Sequence, residues 1–279
     1  MERKLGVNSH CLKGVAEADA LPILKNAGFD CFFSGVYTPE AVQDLKKRAD
    51  EVGIDFAFIH APWNELCADG KRVYMNELWK HGIGHISLFN KVKTAIDSAA
   101  AADVKTVCMH LTEGWRSPLV TEIGLSRFDD IVEHAVKRGV KLAFENIYTL
   151  GALALLMERY ERVPEVGFCY DNGHAHCYTE TVPFLDLYGK RTLCTHIHDN
   201  FGRDKEDPMK DADYHLLPFD GNFDFADMMQ KLDKYGYEGA LTLEVWQQGA
   251  YGDMTPEAFA AHLFGLAKRV ANAHRSMNL

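Results

Sequence analysis

The stretch LCTHIHD, residues 193–199, decides how the chain reads. It begins as an apolar strand, yet it carries His196 and His198 two positions apart and then Asp199. Side chains alternate across a strand, so both histidines share one face while Leu193 and Ile197 take the other. The charged run from Arg203 to Lys210 reads as a solvated excursion, after which Asp213 and His215 return. Solvation accounts for that loop, but not for imidazoles inside an apolar strand.

The same kind of strand recurs along the chain. Strand-like runs fall at 5–10, 31–36, 56–62, 106–112, 141–147, 166–172, 193–199 and 240–246. Amphipathic stretches at 15–27, 39–52, 83–102, 122–138, 149–162, 223–235 and 256–274 separate them, with a weaker one inside 181–190. Thr38-Pro39-Glu40 and Thr255-Pro256-Glu257 carry a capping residue followed by proline at the first helical position. Gly28, Gly53 and Gly139 stand just past helix ends, as left-handed C-caps. No linker divides the 279 residues. Eight strand–helix units predict a single (β/α)8 TIM barrel over residues 1–279. A doubly wound open sheet competes, but no GxGxxG follows the first strand.

Composition narrows the function. Hydrophobic residues are 47% and charged residues 25% of the chain, as in soluble globular proteins. The N-terminus has no signal-peptide apolar core, and no apolar run approaches the ~18 residues of a membrane span. The formal net charge of −10 and the lack of a Lys/Arg cluster disfavour a nucleic-acid partner. Seven cysteines, an odd number with no CxxC, suit reduced thiols in a cytoplasmic setting.

Parity then sorts the strand residues. Leu142 and Phe144 oppose Glu145; Met109 and Leu111 oppose Cys108 and His110; Ile59 opposes His60. Phe168 and Tyr170 oppose Cys169 and Asp171, and Leu243 and Val245 oppose Glu244. One face is apolar and suits packing against outer helices. The other carries ionisable groups near the C-terminal strand ends, where barrel active sites are built. His60, His110, Glu145, Asp171, His198 and Glu244 therefore converge on one mouth, with His10 at its edge. Several buried carboxylates need a compensating positive charge. A divalent cation supplies it, and mixed carboxylate–imidazole ligands suit Zn, Mn, Fe or Co over Ca.

At FEN (144–146), YDNGH (170–174), HIHDN (196–200) and TLEV (242–245) the sequence resembles the xylose isomerase-like TIM barrels. That superfamily includes sugar isomerases, ketose 3-epimerases and endonuclease IV, and the resemblance spans nearly the whole chain. It implies a metal site of Glu145, Asp171, His198 and Glu244. It also implies that Glu145 and Glu244 move a proton between the faces of an enediolate. Zn or Mn is the expected ion, with one ion expected and up to three accommodated.

The endonuclease IV pattern fits as well. It adds His60, His110, His174, Asp213 and His215 as further ligands of a multinuclear zinc site for phosphodiester hydrolysis. Under the sugar-enzyme reading His60, His110, His174, His215 and Trp115 contact substrate. His196 is expected to lie a layer below the ligands. Arg203 falls out of register with the substrate-holding arginine of the epimerases. Trp63, Tyr74 and Trp79, on a lid over 62–80, either stack on a sugar or pack the loop. The favoured expectation is a metal-dependent isomerase or epimerase acting on a small carbohydrate. An endonuclease IV-like hydrolase is the alternative, and the resemblance also implies self-association into a homo-oligomer.

Overall fold

The computed structural model describes residues 3–273, so the last residue of the helix expected over 256–274 lies outside the described residues. Eight parallel strands form the barrel wall: β1 (Leu5–Asn8), β2 (Cys31–Ser34), β3 (Asp55–His60), β6 (Thr106–Met109), β7 (Lys141–Glu145), β8 (Val166–Asp171), β9 (Thr192–His196) and β10 (Leu241–Leu243). Between β3 and β6 a small hairpin is inserted, β4 (Asn64–Leu66) and β5 (Arg72–Tyr74). The wall runs in the order β10-β1-β2-β3-β6-β7-β8-β9. Closure between β9 and β10 rests on the Ile197–Leu243 bridge, where Ile197 N donates to Thr242 O at 2.9 Å.

Helices α1 (Glu17–Ala27), α2 (Pro39–Val52), α3 (Ile86–Ala101), α4 (Glu122–Arg138) and α5 (Leu150–Arg159) follow successive barrel strands. The short α6 (Asn172–Cys177) and α7 (Phe184–Tyr188) come next, then α8 (Phe225–Lys234) and α9 (Pro256–Ala271). All eight expected strand–helix units are present. The hairpin and α6 were not anticipated. Thr255 caps α9 by accepting from Ala258 N, whereas Thr38 makes no side-chain cap on α2.

Parity holds around the barrel. Leu142, Phe144, Phe168, Tyr170 and Leu243 sit in the large core between sheet and helices. The inward residues Phe33, Phe58, Cys108, Ala143, Cys169 and Cys194 form a separate cluster inside the barrel. Each of the last five lies two residues before a polar inward residue: His60, His110, Glu145, Asp171 and His196. The barrel thus has an apolar floor and, one layer above it, an ionisable mouth.

Candidate functional site

The strands end where the mouth begins, and asparagine side chains carry the sheet pattern beyond them. Asn146 Nδ2 donates to the Asp171 carbonyl at 2.8 Å, and Asp171 N donates to Asn146 Oδ1 at 2.9 Å. One unit on, Asn172 Nδ2 donates to the His198 carbonyl at 2.9 Å, and His198 N donates to Asn172 Oδ1 at 3.0 Å. Each amide stands in for a neighbouring strand's peptide. It satisfies buried backbone and fixes the height of the acidic or imidazole side chain beside it. Asp199 faces outward and accepts from Phe219 N, Phe223 N and Asn200 N, which ties down the returning loop.

Three groups of donors fill the mouth. In the first, Glu145, Asp171, His196 and Glu244 place one donor atom each within 4.8 Å of the others. His196 Nδ1 lies 3.1 Å from Glu145 Oε1, 3.4 Å from Glu244 Oε2 and 3.8 Å from Asp171 Oδ2. In the second, His174 and His215 converge on Asp213 Oδ2 through Nε2, at 3.2 and 2.9 Å. In the third, His60 and His110 turn Nε2 to Glu145 Oε2, at 3.3 and 3.4 Å. Glu145 belongs to the first and third groups, one oxygen in each.

The set expected from the sequence held His198, with His196 a layer below. Asp171 pairs with His196 across β8 and β9, which brings His196 level with the carboxylates, while His198 joins His215 and Glu244 in a further group of donors. A register irregularity between Phe168 and Cys169 sets that height. His198 sits one layer higher, with Nε2 3.2 Å from Asp171 Oδ1 and 3.6 Å from Asp213 Oδ1. Its ring stacks on His215 at 4.0 Å, and His215 has the left-handed backbone (φ 44°) that non-glycine residues seldom adopt.

The tautomers suit a cation. His60 Nδ1 donates to the Ala61 carbonyl at 2.9 Å, His174 Nδ1 to Asn146 O at 2.9 Å and His215 Nδ1 to Glu244 O at 3.0 Å. A carbonyl only accepts, so each Nδ1 carries the hydrogen and each Nε2 turns a lone pair toward a carboxylate. Such a contact is satisfied by a further proton on the ring or by a cation between the two groups. Asp213 Oδ1 is buried without a hydrogen-bond donor. The donor set therefore fits divalent ions of the zinc and manganese class.

Electrostatics point the same way. No lysine or arginine lines the cavity above these groups. Burial favours a neutral His196, but Glu244 and Glu145 outweigh it and hold the imidazole up at about 10. His110 is buried too, yet Glu145 and Glu113 raise it to about 9. Burial likewise disfavours charge on His215, and Asp213 raises it to about 9. Burial would raise Glu145, but His196 and His110 keep it well below the usual carboxylate range. The mouth calls for positive charge, and its own histidines are the groups that supply it.

The cavity has a volume of about 430 Å³. Its walls include Tyr37, Trp63, Tyr148 and Trp246, and His10 lies at its edge against Trp246, with ring centroids 5.7 Å apart. Trp63 stacks on His110 at 5.4 Å, and Tyr74 backs it. Trp79 does not form a lid: it is buried against Phe128, and its Nε1 donates to Leu111 O at 2.7 Å. Trp115 packs edge-on against Tyr148 and Tyr178, which line the cavity, with the Arg203 guanidinium 4.7 Å above its ring. Tyr37 was missed in the sequence because it follows its strand by three residues, beyond the reach of parity.

No helix among the described residues is long and apolar enough to cross a membrane, and all seven cysteines are free thiols. The uncharacterized protein y4fM of Sinorhizobium fredii is 29% identical over 81% of this chain and 79% of its own length. A D-tagatose 3-epimerase-like protein superposes with TM-score 0.69 at 21% identity, covering 96% of this chain and 98% of that one. The IOLI protein, solved with a zinc atom bound, superposes with TM-score 0.70 at 18% identity, covering 97% of this chain and 99% of that one. A family model matches residues 21–264, and with eight parallel strands closing around this mouth the chain belongs to the xylose isomerase-like TIM barrel family.

Proposed function

We propose that this chain is a metal-dependent enzyme that hydrolyses a phosphoester of a small carbohydrate-type substrate at a centre holding more than one divalent ion. The observation that carries this reading is the division of Glu145: one oxygen serves the group with Asp171, His196 and Glu244, and the other serves His60 and His110. Glu145 thereby stands between two donor sets, each of which could hold an ion. His174, Asp213 and His215 complete a third set of donors beside it.

Bound divalent ions supply Lewis acidity and a water acidic enough to attack at neutral pH. The protein's own part is orientation. Backbone carbonyls of Ala61, Asn146 and Glu244 hold three imidazoles in one tautomer. Trp63, Tyr37 and Trp246 offer faces for the apolar side of a sugar ring. The cavity admits a small molecule, and its acidic surroundings disfavour a long polyanion.

A second reading has its own support. Glu145 and Glu244 both border the cavity and share the His196 group, as an acid–base pair for isomerisation or epimerisation requires. A neighbour titled D-tagatose 3-epimerase-like is consistent with it.

Elemental analysis of the purified protein, paired with two assays, separates the readings. Hydrolysis predicts about two or three ions per chain and phosphate release from a sugar-phosphate panel that chelation abolishes. The isomerase reading predicts about one ion and solvent deuterium on the carbon beside a ketose carbonyl. One ion together with deuterium incorporation would overturn the hydrolase.

A further inference from the structure

The barrel floor carries a sulfur cluster that one hydrogen bond, from Cys108 Sγ to Glu145 Oε2 at 3.4 Å, joins to the mouth. Cys108, Cys169 and Cys194 come from three strands, and their sulfurs all lie within 4.8 Å of one another. All three are buried, at 0%, 0% and 3% exposure. Their apolar surroundings are Phe33, Phe58 and Ala143, with Glu145 Oε2 as the acceptor of the Cys108 thiol.

We propose that these three thiols form a binding site for a single soft monovalent cation of the Cu(I) class. Thiolate and thiol sulfur select soft ions over the hard and borderline ions suited to the mouth. Ligand number and charge favour Cu(I) over zinc. A structural zinc site takes four ligands, and among the described residues no fourth donor atom lies within 4.8 Å of all three sulfurs. Cu(I) exchanging for one thiol proton leaves the site neutral, as burial in an apolar layer favours. The proton goes to solvent, the other two sulfurs contribute lone pairs, and copper keeps its oxidation state.

The site also has an approach. A second cavity of about 430 Å³ lies at the other end of the barrel, and Cys194 forms part of its wall beside Phe58 and Leu193. Lys4 and Asp55 stand at its solvent side, both more than half exposed. An ion can therefore reach the floor without crossing the mouth.

The test is anaerobic titration of the metal-replete protein with Cu(I), followed by X-ray absorption at the copper edge. The expected result is about one Cu(I) per chain with three sulfur neighbours and no change in mouth metal content. Cys169→Ala, which touches none of the mouth's donor atoms, should abolish that binding while leaving the mouth's ions in place. Nitrogen or oxygen neighbours, or unchanged binding in Cys169→Ala, would overturn the proposal. Should that variant not fold, the sulfur count in the unaltered protein decides. No other three cysteines among the described residues group in this way.

Discussion

Mouth and floor of the barrel differ by two residues per strand and by nearly everything else. Above are His110, Glu145, Asp171 and His196; directly below are Cys108, Ala143, Cys169 and Cys194. The upper layer gathers hard and borderline donors around an aromatic-walled cavity, whereas the lower one is small, soft and apolar. Both layers face inward on the same strands. The difference teaches that facing the barrel axis does not make a residue part of the active site; height along the strand does. The mouth tolerates its buried carboxylates because imidazoles sit at the same height.

The comparison can be broken most severely at Glu145. Glu145→Gln removes charge from two donor groups at once. Mouth metal affinity is expected to fall by more than the roughly 100-fold typical of outer-shell changes, as measured by chelator competition. If the full complement of ions is retained, Glu145 is not the shared ligand.

Asn146→Ala tests the scaffold rather than a donor. It removes both side-chain bonds that hold the Asp171 peptide. Metal affinity should drop by about 10- to 100-fold with the fold intact, which metal titration alongside circular dichroism would show.

Gly173→Ala tests how tightly α6 is seated. A Cβ at that position would lie 1.8 Å from His198 Cε1, so helix or ring must move. The expected cost is about 1–3 kcal/mol, read from denaturant unfolding. An unchanged midpoint would mean that the His198 ring has room to turn aside.

The smallest effect belongs to the floor. Cys169→Ala should cost on the order of 1 kcal/mol for a void of about one methyl group. Turnover at the mouth should be unaffected, because Cys169 lies one layer too deep. A marked loss of activity in that variant would erase the distinction between the layers.

Much of this was legible before any coordinates. The apolar/polar alternation in KLAFENI and VGFCYDN placed Glu145 and Asp171 inward, and the strand–helix rhythm implied the barrel. The expected donors His60, His110, His174, Asp213, His215 and Glu244 also meet at the mouth. Trp115 and Trp79 were not legible, because neither lies on a barrel strand whose period would give a direction. The asparagine bridges were only half visible: their place after the acidic residues could be seen, but not the peptides they would reach across to.

By itself, the sequence determined the number of units, the face of each strand side chain and the chemistry available at the C-terminal ends. Those follow from a two-residue period that every strand obeys. Tertiary structure decided the level at which each side chain sits. His196 and His198 have the same parity, and only the pairing of Asp171 with His196 places one among the carboxylates and the other above them. Height is a relation between neighbouring strands, set by their stagger and by the irregularity at Phe168 and Cys169. No single strand carries it.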